Sequence, residues 1–235
     1  MQQFLLDNYT TLTYFVEFLA VFVGILFYKH YKNKIAKYLV YFLAFAFLVD
    51  LIGYYPGVLK KLNMLYLIKD SWINDNYWWY NIFWNLGLTS FIALLNFKIL
   101  EKALYKTVLK YSFYVYISLF IAFVVFNFKA IFEPSMAFLT ILSLWMTILS
   151  CTLYFLEILQ SEKVVYFYKS IYFYINAIIL LWTLVTAPLQ FYEGYFDSGN
   201  KDFVVVKYTI LLLSNILLYL TLTITLICFR HKTKL

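Results

Sequence analysis

The sequence predicts an all-α fold, a polytopic transmembrane bundle of seven helices, and three observations carry that expectation. Hydrophobic residues fill 64% of the 235 positions and charged residues 13%, against roughly 45–50% and 25% in a soluble domain. A chain of one domain's length cannot bury that much apolar surface within itself, so the excess is expected to face lipid. Seven apolar runs approach the length of about 20 residues that crosses the hydrocarbon of a bilayer, and none alternates with the two-residue period of barrel strands. Backbone polar groups cannot go unpaired in lipid, so each run should be helical. Lastly, the basic residues sit in the short gaps between runs, as they do where charge sets orientation. Residues 1–235 are therefore expected to form a single transmembrane domain.

The first span, about 11–28, carries Glu17 roughly two turns from its start and Gly24 seven residues on. The first 24 residues of the chain hold only acidic charges, Asp7 and Glu17. A secretory signal needs a basic n-region, so the run should be retained. The second span, about 38–59, places Ala46, Asp50, Gly53 and Gly57 along one narrow face. Between it and the third span, Leu62, Leu65, Ile68 and Trp72 recur at helical spacing, which predicts a segment lying in the membrane interface. The third span, about 77–99, opens on Tyr77, Trp78, Trp79, Tyr80 and Trp84. An anchoring belt at headgroup level accounts for these rings more economically than a ligand-binding box. Further along the same span Asn81, Asn85 and Thr89 are four apart.

The fourth span, about 111–128, has no polar stripe and is expected to be the most lipid-facing. In the fifth, about 136–158, Thr140, Ser143, Thr147, Ser150, Tyr154 and Glu157 step by three and four, a pattern that close helix packing explains. The sixth, about 171–195, repeats Asn176, Thr183 and Gln190 by seven, with Thr186 between them, and the seventh, about 203–229, repeats Lys207, Ser214 and Thr221. All spans except the fourth are thus expected to surround a partly polar interior. Pro56 and Pro188, and likewise Asn85 and Asn215, occupy similar places in spans two and six and in spans three and seven. A duplication of three helices about a linking fourth would explain that.

Of the nineteen basic residues, eighteen are lysine. Thirteen fall in the segments Lys29 to Lys37, Lys98 to Lys110, Lys163 to Lys169 and Arg230 to Lys234; the six others, Lys60, Lys61, Lys69, Lys129, Lys201 and Lys207, fall on the opposite side. The positive-inside rule puts the N-terminus outside and the C-terminus in the cytoplasm. The same scatter argues against nucleic acid as a partner despite a net charge of +7. The partners expected are the lipid bilayer and a protein docking at the cytoplasmic basic loops; a homo-oligomer is compatible with the sequence.

An ionised side chain in the hydrocarbon costs about 2.5–3.5 kcal/mol on insertion scales, so each needs a reason. Glu17 and Asp50 are expected to line a water-accessible or ligand-binding pocket in the outer half, with buried structural hydrogen bonding as the alternative. Together they would make cation or proton sensing possible. Lys207, one turn into its span, either pairs or snorkels to the interface. With these, Asn81, Asn85, Thr186, Gln190 and Asn215 complete the candidate ligand or ion pocket. No catalytic residue, metal or cofactor is expected. Asn215 stands where a retinal protein needs its Schiff-base lysine. His30 and His231 flank spans rather than meeting in one, and Cys151 and Cys228 fit neither a thiolate metal site nor a disulfide framework.

Glu17-Phe18-Leu19, Gly24, Lys29, Lys32, Asp50-Leu51-Ile52-Gly53 and Trp79-Tyr80-Asn81-Ile82 resemble a family of short, uncharacterised seven-helix membrane proteins common in Bacteroidota. The resemblance implies a protein of the bacterial inner membrane that works beside a sensor kinase, and it carries over no catalytic residue. The sugar-transporting SWEET proteins share the helix count, but their Pro-Gln pair is interrupted here by Leu189. Three classes follow. A sensor or receptor-like module with an outward-facing polar pocket stands first. A small-solute or ion transporter or pore, membrane effectors of phage defence included, stands second, and an intramembrane enzyme last.

Overall fold

The computed structural model describes residues 8–69, 71–132, 137–193 and 201–230, with the backbone alone at 137, 190–193 and 201–203. Long helices form at α1 (Tyr9–Tyr31), α2 (Lys37–Gly53), α3 (Asn85–Ile99), α4 (Ala103–Phe126), α5 (Ala137–Leu159), α6 (Ile171–Glu193) and α7 (Lys201–Phe229). Beyond a break at Tyr54, α2 continues as Tyr55–Lys61, with Pro56 in the first turn, where its missing N–H has no partner to lose. The chain enters α3 through Tyr77–Trp79 and a π-helical turn, Tyr80–Trp84. Counted with these extensions, seven helices are long and apolar enough to cross a membrane. No strand occurs among the described residues.

Six helices close a ring in the order α1, α2, α3, α5, α6, α7 and back to α1, while α4 packs outside it against α5 and α3. Only Leu109, Tyr116 and Phe120 of α4 are buried, and its Leu104 and Phe126 stay 68% and 84% exposed. The one span whose sequence lacks a polar stripe is therefore the peripheral one. The segments α1–α2–α3 and α5–α6–α7, joined by α4, meet along α3 with α5 and along α7 with α1, the arrangement a three-helix duplication would give. Two apolar clusters fill the bundle. One joins α1, α2, α3, α6 and α7 with Cys151 of α5, and the other joins α4 to α3 and α5.

Alternating chain direction puts Tyr9, Gly53, Tyr77 and the start of α5 at one end of the bundle and Tyr31, Lys37, Ile99 and Phe229 at the other. At the Tyr31 end the Tyr31 hydroxyl donates to the Leu226 carbonyl at 2.6 Å, tying α1 to α7. There too the Glu157 carboxylate accepts from the backbone N–H groups of Glu101 and Lys102 at 2.8 and 2.9 Å. It thereby caps the otherwise unpaired start of α4.

Two boundaries differ from the sequence expectation. Helix α4 begins at Ala103 instead of about 111, because Lys106 and Lys110 sit on the helix itself, where long stems carry their charges toward the interface. Among its described residues the segment after Lys61 forms no interfacial helix and holds the single 3₁₀ turn Leu65–Leu67. Asn63, at φ 56°, adopts the left-handed conformation that ends Tyr55–Lys61. The loop then folds back, with Asn76 Nδ2 donating to the Gly53 carbonyl at 2.7 Å and the Tyr55 hydroxyl 2.6 Å from the Ile73 carbonyl. Trp72 packs on Phe128 and Phe132 of the α4–α5 connection. Tertiary contacts, not local periodicity, decide the conformation of this loop.

Candidate functional site

Toward the Tyr9 end, α3, α5 and α6 diverge around a cavity of about 230 Å³. Its α3 wall is Asn81, Asn85, Leu88 and Thr89 with Tyr77, Tyr80 and Trp84 above them; α5 supplies Thr140, Ser143, Leu144 and Thr147, and α6 supplies Trp182, Thr183 and Thr186. The four-residue spacing of Asn81, Asn85 and Thr89 and the three-and-four steps on α5 turn both stripes inward. Among the described residues the lining carries hydroxyls, amides and aromatic faces and no carboxylate, imidazole or ammonium group.

Hydrogen bonding within the walls decides what they can offer. The Thr183 hydroxyl donates to the Ile179 carbonyl at 2.7 Å and that of Thr186 to the Trp182 carbonyl at 2.9 Å. Each proton is spent on the helix backbone, which leaves oxygen lone pairs for a visitor. Asn85 Nδ2 likewise donates to the Asn81 carbonyl at 3.1 Å, so its Oδ1 keeps acceptor capacity. Trp182 Nε1 donates to Asn215 Oδ1 at 2.8 Å, leaving that indole to present its apolar face. Trp84 and Trp182 meet edge to face at 6.0 Å. The cavity is thus uncharged, rich in acceptors and partly walled by rings.

Below it, α3, α5 and α6 are clasped by buried amides. Asn96 Nδ2 donates to Asn176 Oδ1 at 2.8 Å and Asn176 Nδ2 returns a bond to Asn96 Oδ1 at 3.0 Å. Asn96 also reaches the Ser150 carbonyl and hydroxyl at 3.1 and 3.0 Å.

A second cluster lies where α1, α2, α3 and α7 converge. Glu17 is 1% exposed, and its carboxyl comes within hydrogen-bonding reach of the Asp50 carboxyl. The Tyr80 hydroxyl reaches Asp50, while the Tyr219 side chain faces Glu17 from α7. The Tyr14 hydroxyl donates to the Asp50 main-chain carbonyl at 3.0 Å. Gly53 makes room for this meeting, since a Cβ there would stand 2.7 Å from the Tyr80 hydroxyl. Glu17 Oε2, the Tyr219 hydroxyl and Thr13 Oγ1 are buried without a hydrogen-bond partner.

The candidate residues therefore divide. Asn81, Asn85 and Thr186 line the cavity, and Asn215 fixes its Trp182 wall. Glu17 and Asp50 meet each other beside it and do not line it. Lys207 holds its ammonium over the Tyr208 ring at 5.9 Å, away from the cavity walls. The Gln190 side chain lies outside the described residues. The fifth span's stripe, which packing alone would explain, forms a cavity wall at Thr140, Ser143 and Thr147. Tyr77, Tyr80 and Trp84, expected in a belt, also line it. Trp182 and Tyr219 had no sequence signal, because a ring in an apolar run does not reveal its direction.

No known family model, curated protein or solved structure matches the chain.

Proposed function

We propose that this protein is a receptor-like membrane protein that binds a small, uncharged, donor-rich solute between α3, α5 and α6. The acceptor-rich cavity without charged groups is the observation that carries the reading. An ionic ligand would forfeit its hydration there without gaining a counter-charge. Hydroxyl or amide donors would instead find the lone pairs of Thr183, Thr186 and Asn85, and an apolar ring or edge would find Trp84 and Trp182. The volume of about 230 Å³ lies under the roughly 300–1,000 Å³ of drug-sized pockets, which suits a solute of monosaccharide size or less.

In this reading the protein sits in a bacterial inner membrane with the Tyr9 end outward, as the basic residues predict. The solute arrives from outside, and the lysine-rich loops at the Tyr31 end contact a cytoplasmic partner. Transport is the second reading. It is favoured by Asn96 and Asn176, which carry the polar interior past the cavity toward the Tyr31 end.

Titration of purified protein with glycerol, glucose, ribose, urea and choline, followed by tryptophan fluorescence, tests the proposal. At least one of the four neutral compounds should bind, and Thr186→Val or Asn85→Leu should weaken it about tenfold, the worth of one or two hydrogen bonds. Preference for choline, or binding unmoved by both substitutions, would refute it. Flux of the bound compound into proteoliposomes separates transport from reception.

A further inference from the structure

The cavity leaves the adjoining carboxyl pair unused. Glu17 and Asp50 lie side by side at a depth where the described titratable groups around them are phenols: Tyr9 and Tyr14 from α1, Tyr80 ahead of α3 and Tyr219 from α7. Lys207 of α7 stands about three turns from Tyr219. Two ionised carboxyls side by side away from water repel strongly, and among the described side chains no base stands close enough to offset that repulsion. A proton between their oxygens turns the repulsion into a hydrogen bond. The second observation is the group of unpartnered oxygens around Glu17. Its own Oε2 and the hydroxyl of Tyr219, 2% exposed, are buried with nothing bonded to them, and Thr13 Oγ1 lies one turn along the same face of α1. Buried polar atoms are nearly always satisfied, so oxygens left open beside a carboxyl call for a further hydrogen to complete them.

We propose that Glu17 and Asp50 form a proton-binding site, coupled to the solute cavity through Tyr80. The coupling step rests on the solute-binding reading above; the proton site does not. Tyr80 belongs to both places, lining the cavity and bringing its hydroxyl close to Asp50. A solute that accepts from this hydroxyl takes a donor away from the Asp50 carboxylate, and the pair then holds its proton more tightly. Above the pH at which the empty pair releases its proton, solute binding therefore draws up to one proton from the medium, and by linkage solute binding tightens as the pH falls through that range, by at most about tenfold per pH unit.

Infrared spectroscopy of the purified protein in lipid nanodiscs reads the proton site without any solute. Near neutral pH the wild type should show the carbonyl stretch of a protonated carboxyl, shifted in heavy water and missing from the Glu17→Gln/Asp50→Asn double variant. A wild-type spectrum with no such band overturns the proposal, as does a band that the double variant retains. Should the double variant not fold, alkaline titration of the wild-type band decides, and a band that never bleaches overturns the site. Exchanging potassium for sodium at fixed pH should leave the band in place; its loss would make the pair a metal-cation site and refute the proton assignment. Tyr80→Phe should keep the band and abolish the pH dependence of solute binding. If no panel compound binds, the solute reading fails while the band still reports on the pair.

Discussion

The reciprocal bonds between Asn96 and Asn176 show how a single side chain is held to account inside the bundle. Both residues are fully buried, and each amide uses the other as donor and acceptor. Removing one partner leaves the other's polar atoms in an apolar setting, which in water-soluble proteins costs about 1–3 kcal/mol. Measured hydrogen bonds between membrane helices average nearer 0.6 kcal/mol, because unfolded chains in lipid also find partners. Asn96→Leu should therefore destabilise by about 1 kcal/mol in denaturant unfolding of the detergent-solubilised protein. Asn96→Leu/Asn176→Leu should cost less than the sum of the two single changes, since it leaves no orphaned amide. Strict additivity would show that the pair is not coupled. The sequence showed Asn176 in the polar stripe of the sixth span and did not single out Asn96, because facing across helices is a property of the ring and not of either span.

Among the elements, the π-helical turn Tyr80–Trp84 does the most to shape the site. It holds one residue more than an α-helical turn would, and such turns recur where function needs a side chain re-aimed. Here the result is that Tyr80 faces Asp50 while Asn81 and Asn85 still face the cavity. Deleting Phe83, a partly exposed member of the turn, should restore regular α-helix and remove the extra residue that lets the turn spread its side chains between Asp50 and the cavity. The variant should keep its helical circular dichroism and lose tryptophan-detected solute binding; retained binding would detach the turn from the site. A milder change at the same contact is Gly53→Ala, whose methyl group would push the Tyr80 hydroxyl aside. It should shift the infrared carboxyl band without removing it, and an unchanged band would argue against the Tyr80 contact.

How much of each element was legible follows from which forces are local. The centres of the seven helices could be read, because hydrocarbon imposes length and polarity on each run separately. The start of α4 could not, because Lys106 and Lys110 count as loop on a charge scale while their stems lie along a helix. Leu62, Leu65, Ile68 and Trp72 kept helical spacing without a helix, since Asn63 and the anchoring of the loop on Gly53 override it. Glu17 and Asp50 were legible as costly residues, and the fifth span's stripe as inward-facing. That the first two would meet, and the stripe would wall a cavity, depended on helices far apart in sequence.

For the whole molecule, an odd number of crossings and the ring closed by α7 on α1 make orientation a single binary property. Thirteen of nineteen basic residues gather on the side of the Tyr31 end, and translocation of short basic loops is disfavoured, so that end should be cytoplasmic. The direction decides the chemistry: only with the Tyr9 end outward do the cavity and the carboxyl pair meet external solute and external acid. Cys228 is exposed and Cys151 buried, so Cys228→Ser gives a background silent to membrane-impermeant thiol reagents. In it, Asp75→Cys in the loop before α3 should label in intact cells. Asn33→Cys in the α1–α2 turn should label only after the membrane is opened. The reverse pattern would turn the cavity toward the cytoplasm and make the bound solute an internal metabolite. Labelling of both from one side would contradict the passage of α2 across the membrane, and with it the ring on which the cavity depends.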